Sequence, residues 1–189
     1  PSSFEVIVAA RLSDPRSIRA MHRVARVHPY GGDRQEFAYE GRDMAVLITT
    51  TRLATPVRPL SVGDPPEGST IEIVGFGRTE ISVTAAGTKR RGHTIVERVI
   101  GLDPSPSATF SGIITGAGDA NGVCSGDSGG PAFDASGAVA GVTSLGALTC
   151  RAGGGGVFMS THAGRAFIED ALAIYPGCTV DDPRDGCTT

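Results

Sequence analysis

GVCSGDSGGP, residues 122–131, is the stretch on which the reading of this chain turns. Its glycines let backbone amides approach a substrate atom that side chains would block. The amides of Gly126 and Ser128 can therefore converge on one oxygen beside the Ser128 hydroxyl, which makes an oxyanion hole next to a nucleophile. Asp127, enclosed by such a turn, needs a cation or several amide donors to stay ionised. The plainer reading is a polar turn leading into a strand at PAF, residues 131–133, and these ten residues alone leave both readings open.

Outward from this turn, composition narrows the class. The chain has 189 residues, 40% hydrophobic and 20% charged, with 27 glycines and 12 prolines, which suits one large domain or two packed halves built from short strands and tight turns. The formal net charge is −3 and the longest basic run is Lys89-Arg90-Arg91, so no phosphate-tracking stripe exists and nucleic acid is not an expected partner. No apolar run approaches the about 20 residues of a membrane span, and PSSFEV at the start has neither a basic beginning nor an apolar signal core, so no membrane partner is expected.

Cysteines stand at 124, 150, 178 and 187 without CxxC spacing, which favours disulfides in an oxidising compartment over a metal site. Four reduced, buried thiols are the alternative, but two of the four lie in a polar tail that could not bury them. Cys178 and Cys187, nine residues apart, most simply close a small loop on each other. No metal and no cofactor are expected.

Short apolar alternation predicts strands at 4–12 and 22–30, and a nearly continuous apolar run predicts another at 42–50. Residues 51–70 carry four prolines and two glycines with little periodicity, so the halves meet near 55–70. Strands resume at 71–79 and follow at 93–102, 137–145 and 156–160. In AGRAFIEDALAI (163–174), Phe167, Ile168, Ala171 and Leu172 recur at one-turn spacing, which predicts a closing helix with Ser160 or Thr161 as its cap.

Five ordered segments now bear on the serine. With GDSGGP, the chain resembles the chymotrypsin-like serine proteases of the trypsin family. VARVHPY (24–30) looks like that family's approach to its acid strand, RDMAVLI (42–48) like its DIALL segment and IVGFGRT (73–79) like its GWG segment. GVTSLG (141–146) and GGVFMS (155–160) look like the SWG and PGVYT segments that line the substrate cleft. The resemblance implies an all-β, double β-barrel fold with a C-terminal helix. It also implies Ser128 as nucleophile, Asp43 as the buried acid that orients the catalytic imidazole, and a Cys124–Cys150 disulfide stapling the nucleophile loop. In the family a freed α-amino group pairs with the aspartate that matches Asp127 and shapes the oxyanion hole of Gly126 and Ser128.

One part is absent. The mechanism needs a histidine to take and return the serine proton, and the family carries it in an AAHC stretch that, counted back from Asp43, falls just before Pro1. His22, His28, His93 and His162 are each poor substitutes by position: His28 matches a non-catalytic histidine of the family's HP(N)Y turn, and His162 sits where the helix starts. The expectation is therefore a serine endopeptidase fragment whose base lies upstream, the chain alone being inactive. The alternative is a non-catalytic protease homologue acting as a binding or regulatory module. The organisation expected is a first barrel incomplete at its N-terminus (1–58), a second barrel (59–162), the helix (163–174) and a disulfide-closed tail (175–189). By the same resemblance the protein is secreted, made as a zymogen and monomeric, and its partner is a polypeptide substrate or a protein protease inhibitor.

The specificity pocket implied by the resemblance has Gly122 at its base, Val123 beside it, and Ser144, Leu145, Gly146 and Gly156 on its walls. With no carboxylate there, a buried arginine or lysine would be left unpaired, so cleavage after basic residues is disfavoured. Two wall glycines leave room for a medium or large apolar side chain, with Val123 narrowing the depth and Leu145 in place of the family's usual tryptophan.

Overall fold

The computed structural model describes residues 4–30, 42–53, 55–79, 86–100, 112–116, 122–146 and 154–176. The first half forms a three-stranded antiparallel sheet of β1 (Glu5–Ala9), β2 (Ile18–Pro29) and β3 (Ala45–Thr49), in that order. Between β1 and β2 a 3-10 turn, Pro15–Ser17, begins with a proline whose fixed φ suits it, and the Asp14 carboxylate accepts from the Arg16 amide at 3.0 Å. β2 pairs with both neighbours, and a register shift between Val24 and Arg26 bends it as it passes from one to the other. Two cross-strand apolar pairs are left open to solvent: Ile7 with Met21 (38% and 53% exposed) and Val27 with Leu47 (41% and 48%).

The second half closes on itself. β4 (Thr70–Gly75), β5 (Arg90–Ile100), β6 (Gly112–Thr115), β7 (Pro131–Phe133), β8 (Val139–Gly146) and β9 (Gly156–Ser160) form a barrel in the order β4-β5-β6-β9-β8-β7, with β7 pairing back onto β4. Alternation drives it: on β5, Gly92, Thr94 and Val96 point inward and Arg91, His93 and Ile95 outward. Ile71, Val96, Ile113 and Phe158 are completely buried, each worth about 1.5–3 kcal/mol of transfer free energy. Gly141 is required beneath Phe158, since a Cβ there would stand 2.9 Å from the phenylalanine Cβ.

The connector between the halves is strapped to the barrel, because Leu60 bridges Val139 and the Ser61 amide donates to the Val139 carbonyl at 2.9 Å. After β9 comes α1 (Arg165–Ala173), which packs back on the first sheet: Tyr30 stacks on Phe167 at 4.4 Å between centroids, and His28 Nε2 lies 2.9 Å from the Tyr175 hydroxyl. Met44 rests against Gly164. These contacts hold the stretch that carries Asp43.

The all-β architecture with a closed barrel, a second sheet and one C-terminal helix matches the expected chymotrypsin-like fold. The expected helix cap differs: Gly164 occupies the position with no side-chain cap bond, while the Ser160 hydroxyl accepts from Ala163 N and Thr161 donates to the Val139 carbonyl. Residues 177–189, and with them Cys178, Cys187 and the expected tail loop, lie outside the described residues, as does Cys150. Among the described residues no helix is long and apolar enough to cross a membrane, and no group of three His, Cys, Asp or Glu could hold a metal ion.

Candidate active site

Ser128 is exposed on a tight turn between two glycines of positive φ, Gly126 at 97° and Gly129 at 79°, conformations that L side chains rarely adopt. The turn is stitched to β8: Gly129 N donates to the Thr143 carbonyl and Thr143 N to the Gly130 carbonyl, both at 2.8 Å. A Cβ on Gly130 would stand 2.7 Å from the Val74 carbonyl, so nothing larger fits there. Among the described residues neither the Gly126 nor the Ser128 amide donates to a backbone carbonyl. Cys124, at the base of the turn, is buried and disulfide-bonded to a partner outside the described residues.

Asp127 is served by amides. Its Oδ1 accepts from Gly77 N at 2.7 Å and its Oδ2 from Cys124 N at 2.9 Å, and among the described residues it forms no ion pair. Gly75 and Gly77 make the space, since a Cβ on either would come within 2.7 Å of the Asp127 carboxyl group. The small residues of the 73–79 segment thus let this carboxylate pack against the backbone, where two amides donate to it. A cavity of about 190 Å³ lies beside it, lined by Gly75, Gly77, Arg78, Arg90 and Val123 among others.

Asp43 reaches the site from the other half. The Ser144 hydroxyl donates to its Oδ2 at 2.6 Å. Ser144 follows Thr143, the residue that exchanges hydrogen bonds with the Ser128 turn. The acid and the serine are therefore both anchored at the same stretch of β8. The resemblance implies a buried acid, and here Asp43 is exposed, its carboxylate bonded among the described residues by the Ser144 hydroxyl. Sequence reasoning placed Ser144 in the pocket wall and missed this contact, whose signal was the serine of the SWG-like segment.

None of the four histidines is hydrogen-bonded to Asp43 or Ser128 among the described residues. His22 is buried, with Nδ1 2.8 Å from Thr51 Oγ1, His28 meets Tyr175, and exposed His93 lies 3.6 Å from Glu72. His162 is exposed just before α1.

The pocket residues come together in an unexpected way. Gly146 and Gly156 stand opposite each other across β8 and β9, and the buried Val123 side chain lies against both. Leu145 is partly exposed at the rim.

A closed barrel carrying a glycine-framed serine, with an acid delivered from a second sheet, defines the trypsin-like serine protease fold. The sequence profile of the trypsin family matches residues 2–168, and the chain belongs to that family. Two mutants of human heparin binding protein share the fold. One is 22% identical, with 92% of this chain and 76% of that chain covered at a TM-score of 0.67. The other is 21% identical, with 92% and 78% covered at 0.68. Among curated proteins none matches the chain by sequence.

Proposed function

We propose that this chain is the larger part of a secreted serine endopeptidase that works through an acyl-enzyme and takes its general-base histidine from a segment preceding Pro1. The observation that carries this reading is the 2.6 Å bond from Ser144 to Asp43, which brings the acid of the sheet to the strand that holds the Ser128 turn. Ser128 attacks the scissile carbonyl. The incoming histidine takes the Ser128 proton and returns it to the leaving amine, while Asp43, whose Oδ1 has no partner among the described residues, accepts from the imidazole and stabilises its charge. Among the described residues the amides of Gly126 and Ser128 have no backbone acceptor, and they suit the oxyanion. A covering segment would also bury the open Ile7–Met21 and Val27–Leu47 pairs and the exposed Asp43. Its partners are then a polypeptide substrate or a protein inhibitor of proteases.

The lack of any histidine bonded to Asp43 favours a second reading, a non-catalytic homologue that binds or regulates, and the two structural neighbours are named for binding heparin. Titration with an active-site ester separates the two. General-base help is worth about 10²–10⁴-fold in rate, so the 189-residue chain alone should give no acylation burst. A chain extended by its upstream residues should give one that Ser128→Ala abolishes. No burst from the extended chain supports the binding module; a burst from the short chain, lost in Ser128→Ala, overturns the missing-base reading.

A further inference from the structure

We infer that Val123 fills the recognition pocket beside Ser128 and limits the side chain accepted there to hydrogen or methyl, so that the cleft takes peptides with Gly or Ala before the scissile bond. The inference rests on the peptidase reading for its ligand, and on geometry alone for the plug.

Gly146 and Gly156 could serve two ends: to leave room for a substrate side chain, or to leave room for another part of the protein. The distances decide for the second. A Cβ on Gly146 would stand 2.9 Å from the Val123 carbonyl oxygen and 3.0 Å from its Cγ2. A Cβ on Gly156 would stand 2.6 Å from the same methyl and 3.3 Å from Phe158 Cε2. One valine methyl therefore rests against the α-carbons of both glycines, and the two walls of the pocket touch through it. On the far side Gly122 is backed by the Gly154 carbonyl, which a Cβ would meet at 2.0 Å, so the segment is held on that side.

Val123 is only 3% exposed and belongs to the barrel core with Phe158 and Ala132. A large incoming side chain would have to displace it from that packing, whereas a methyl group at the mouth would not. The sequence expectation gave the space beside these glycines to a medium or large apolar substrate side chain; in the present inference Val123 occupies it.

Two measurements on the full chain test this. With methyl-labelled valine, NMR should show contacts from the Val123 methyls to the α-protons of Gly146 and Gly156. Binding of acetylated tetrapeptides ending in Ala or in Phe should favour Ala in the wild-type chain, and Val123→Gly should move the Phe-to-Ala ratio by about tenfold or more toward Phe. Val123→Ala should move it in the same direction by less, which guards against misfolding of the glycine variant. Absent methyl contacts, or a wild-type chain that prefers the Phe-ended peptide with no change in ratio in either variant, would overturn the inference. If neither peptide binds any variant while the contacts are present, the plug stands and the peptidase reading falls.

Discussion

The barrel and the sheet hold one half of the candidate site each, and they hold it by different means. In the barrel, Ile71, Val96, Ile113 and Phe158 are shut off from solvent and every strand has two neighbours. Within the sheet strands Ile48 is the buried hydrophobic residue, and four apolar side chains that pair across strands lie open. An isolated small sheet is marginal in water, so this one depends on what is laid against it, here α1 and the Ser144 hydroxyl. The Ser128 turn is thus built into a self-sufficient core, while the position of Asp43 is borrowed. A site divided in this way can be complete on one side and unfinished on the other.

The largest effect expected is in the core. Phe158→Ala removes a fully buried ring over Gly141 and should cost about 3–5 kcal/mol in denaturant unfolding. Leu47→Ala, in the open pair with Val27, should cost under about 1 kcal/mol. Equal costs would erase the distinction between the halves and mean that Leu47 is covered in solution.

That distinction was partly legible in the sequence. Alternation located the strands with long apolar patterns, and GDSGGP with five companion segments located the fold. β6 was missed because GIIT offers only four residues, too few for a period, and its inward and outward sides are both mostly buried. The Asp127 partners were missed because backbone amides leave no mark in a side-chain pattern, although the Gly-Phe-Gly spacing at 75–77 held the clue. The glycines of the pocket were legible as small, but which atoms fill the space they leave depends on how β8, β9 and residues 122–124 approach one another. Local patterns do not encode that.

A second test lies at the rim of the barrel. Asp134 anchors the turn between β7 and β8: its Oδ1 accepts from Ser136 N at 2.8 Å, Ser136 Oγ at 2.6 Å and Ala138 N at 3.1 Å, and its Oδ2 from the connector's Ser61 at 2.7 Å. Burial pushes its pKa up, but the hydrogen bonds from Ser136, Ser61 and the two amides outweigh it, so the group lies below its ordinary value of 3.8. A carboxyl with a depressed folded pKa contributes stability that is fully present above the unfolded value and lost as pH falls through the folded one. Below 3.8, amide exchange at Ser136 and Ala138 should therefore quicken before that of β2 and β3. Asp134→Ala should cost about 1–2 kcal/mol at neutral pH and remove this acid sensitivity. Acid sensitivity that survives in the variant would assign it to another carboxylate.

The smallest effect falls on the link between the halves. Ser144→Ala deletes one hydroxyl, and because Asp43 is exposed, water can replace the lost donor, so the global cost should be about 0.5–1.5 kcal/mol. The cost should also be uneven. β8 keeps its pairing with β7 and β9, so its amides should exchange as before, while those of β3 lose the contact that ties their strand's entry to the barrel and should exchange faster. A double-mutant cycle with Asp43→Ala isolates the bond, and a coupling of about 0.5 kcal/mol or more is expected. Zero coupling with unchanged β3 exchange would show that α1 alone positions the acid, through Met44 on Gly164 and Tyr30 on Phe167. The sheet would then be borrowing its place from the helix and not from the strand that carries the serine turn.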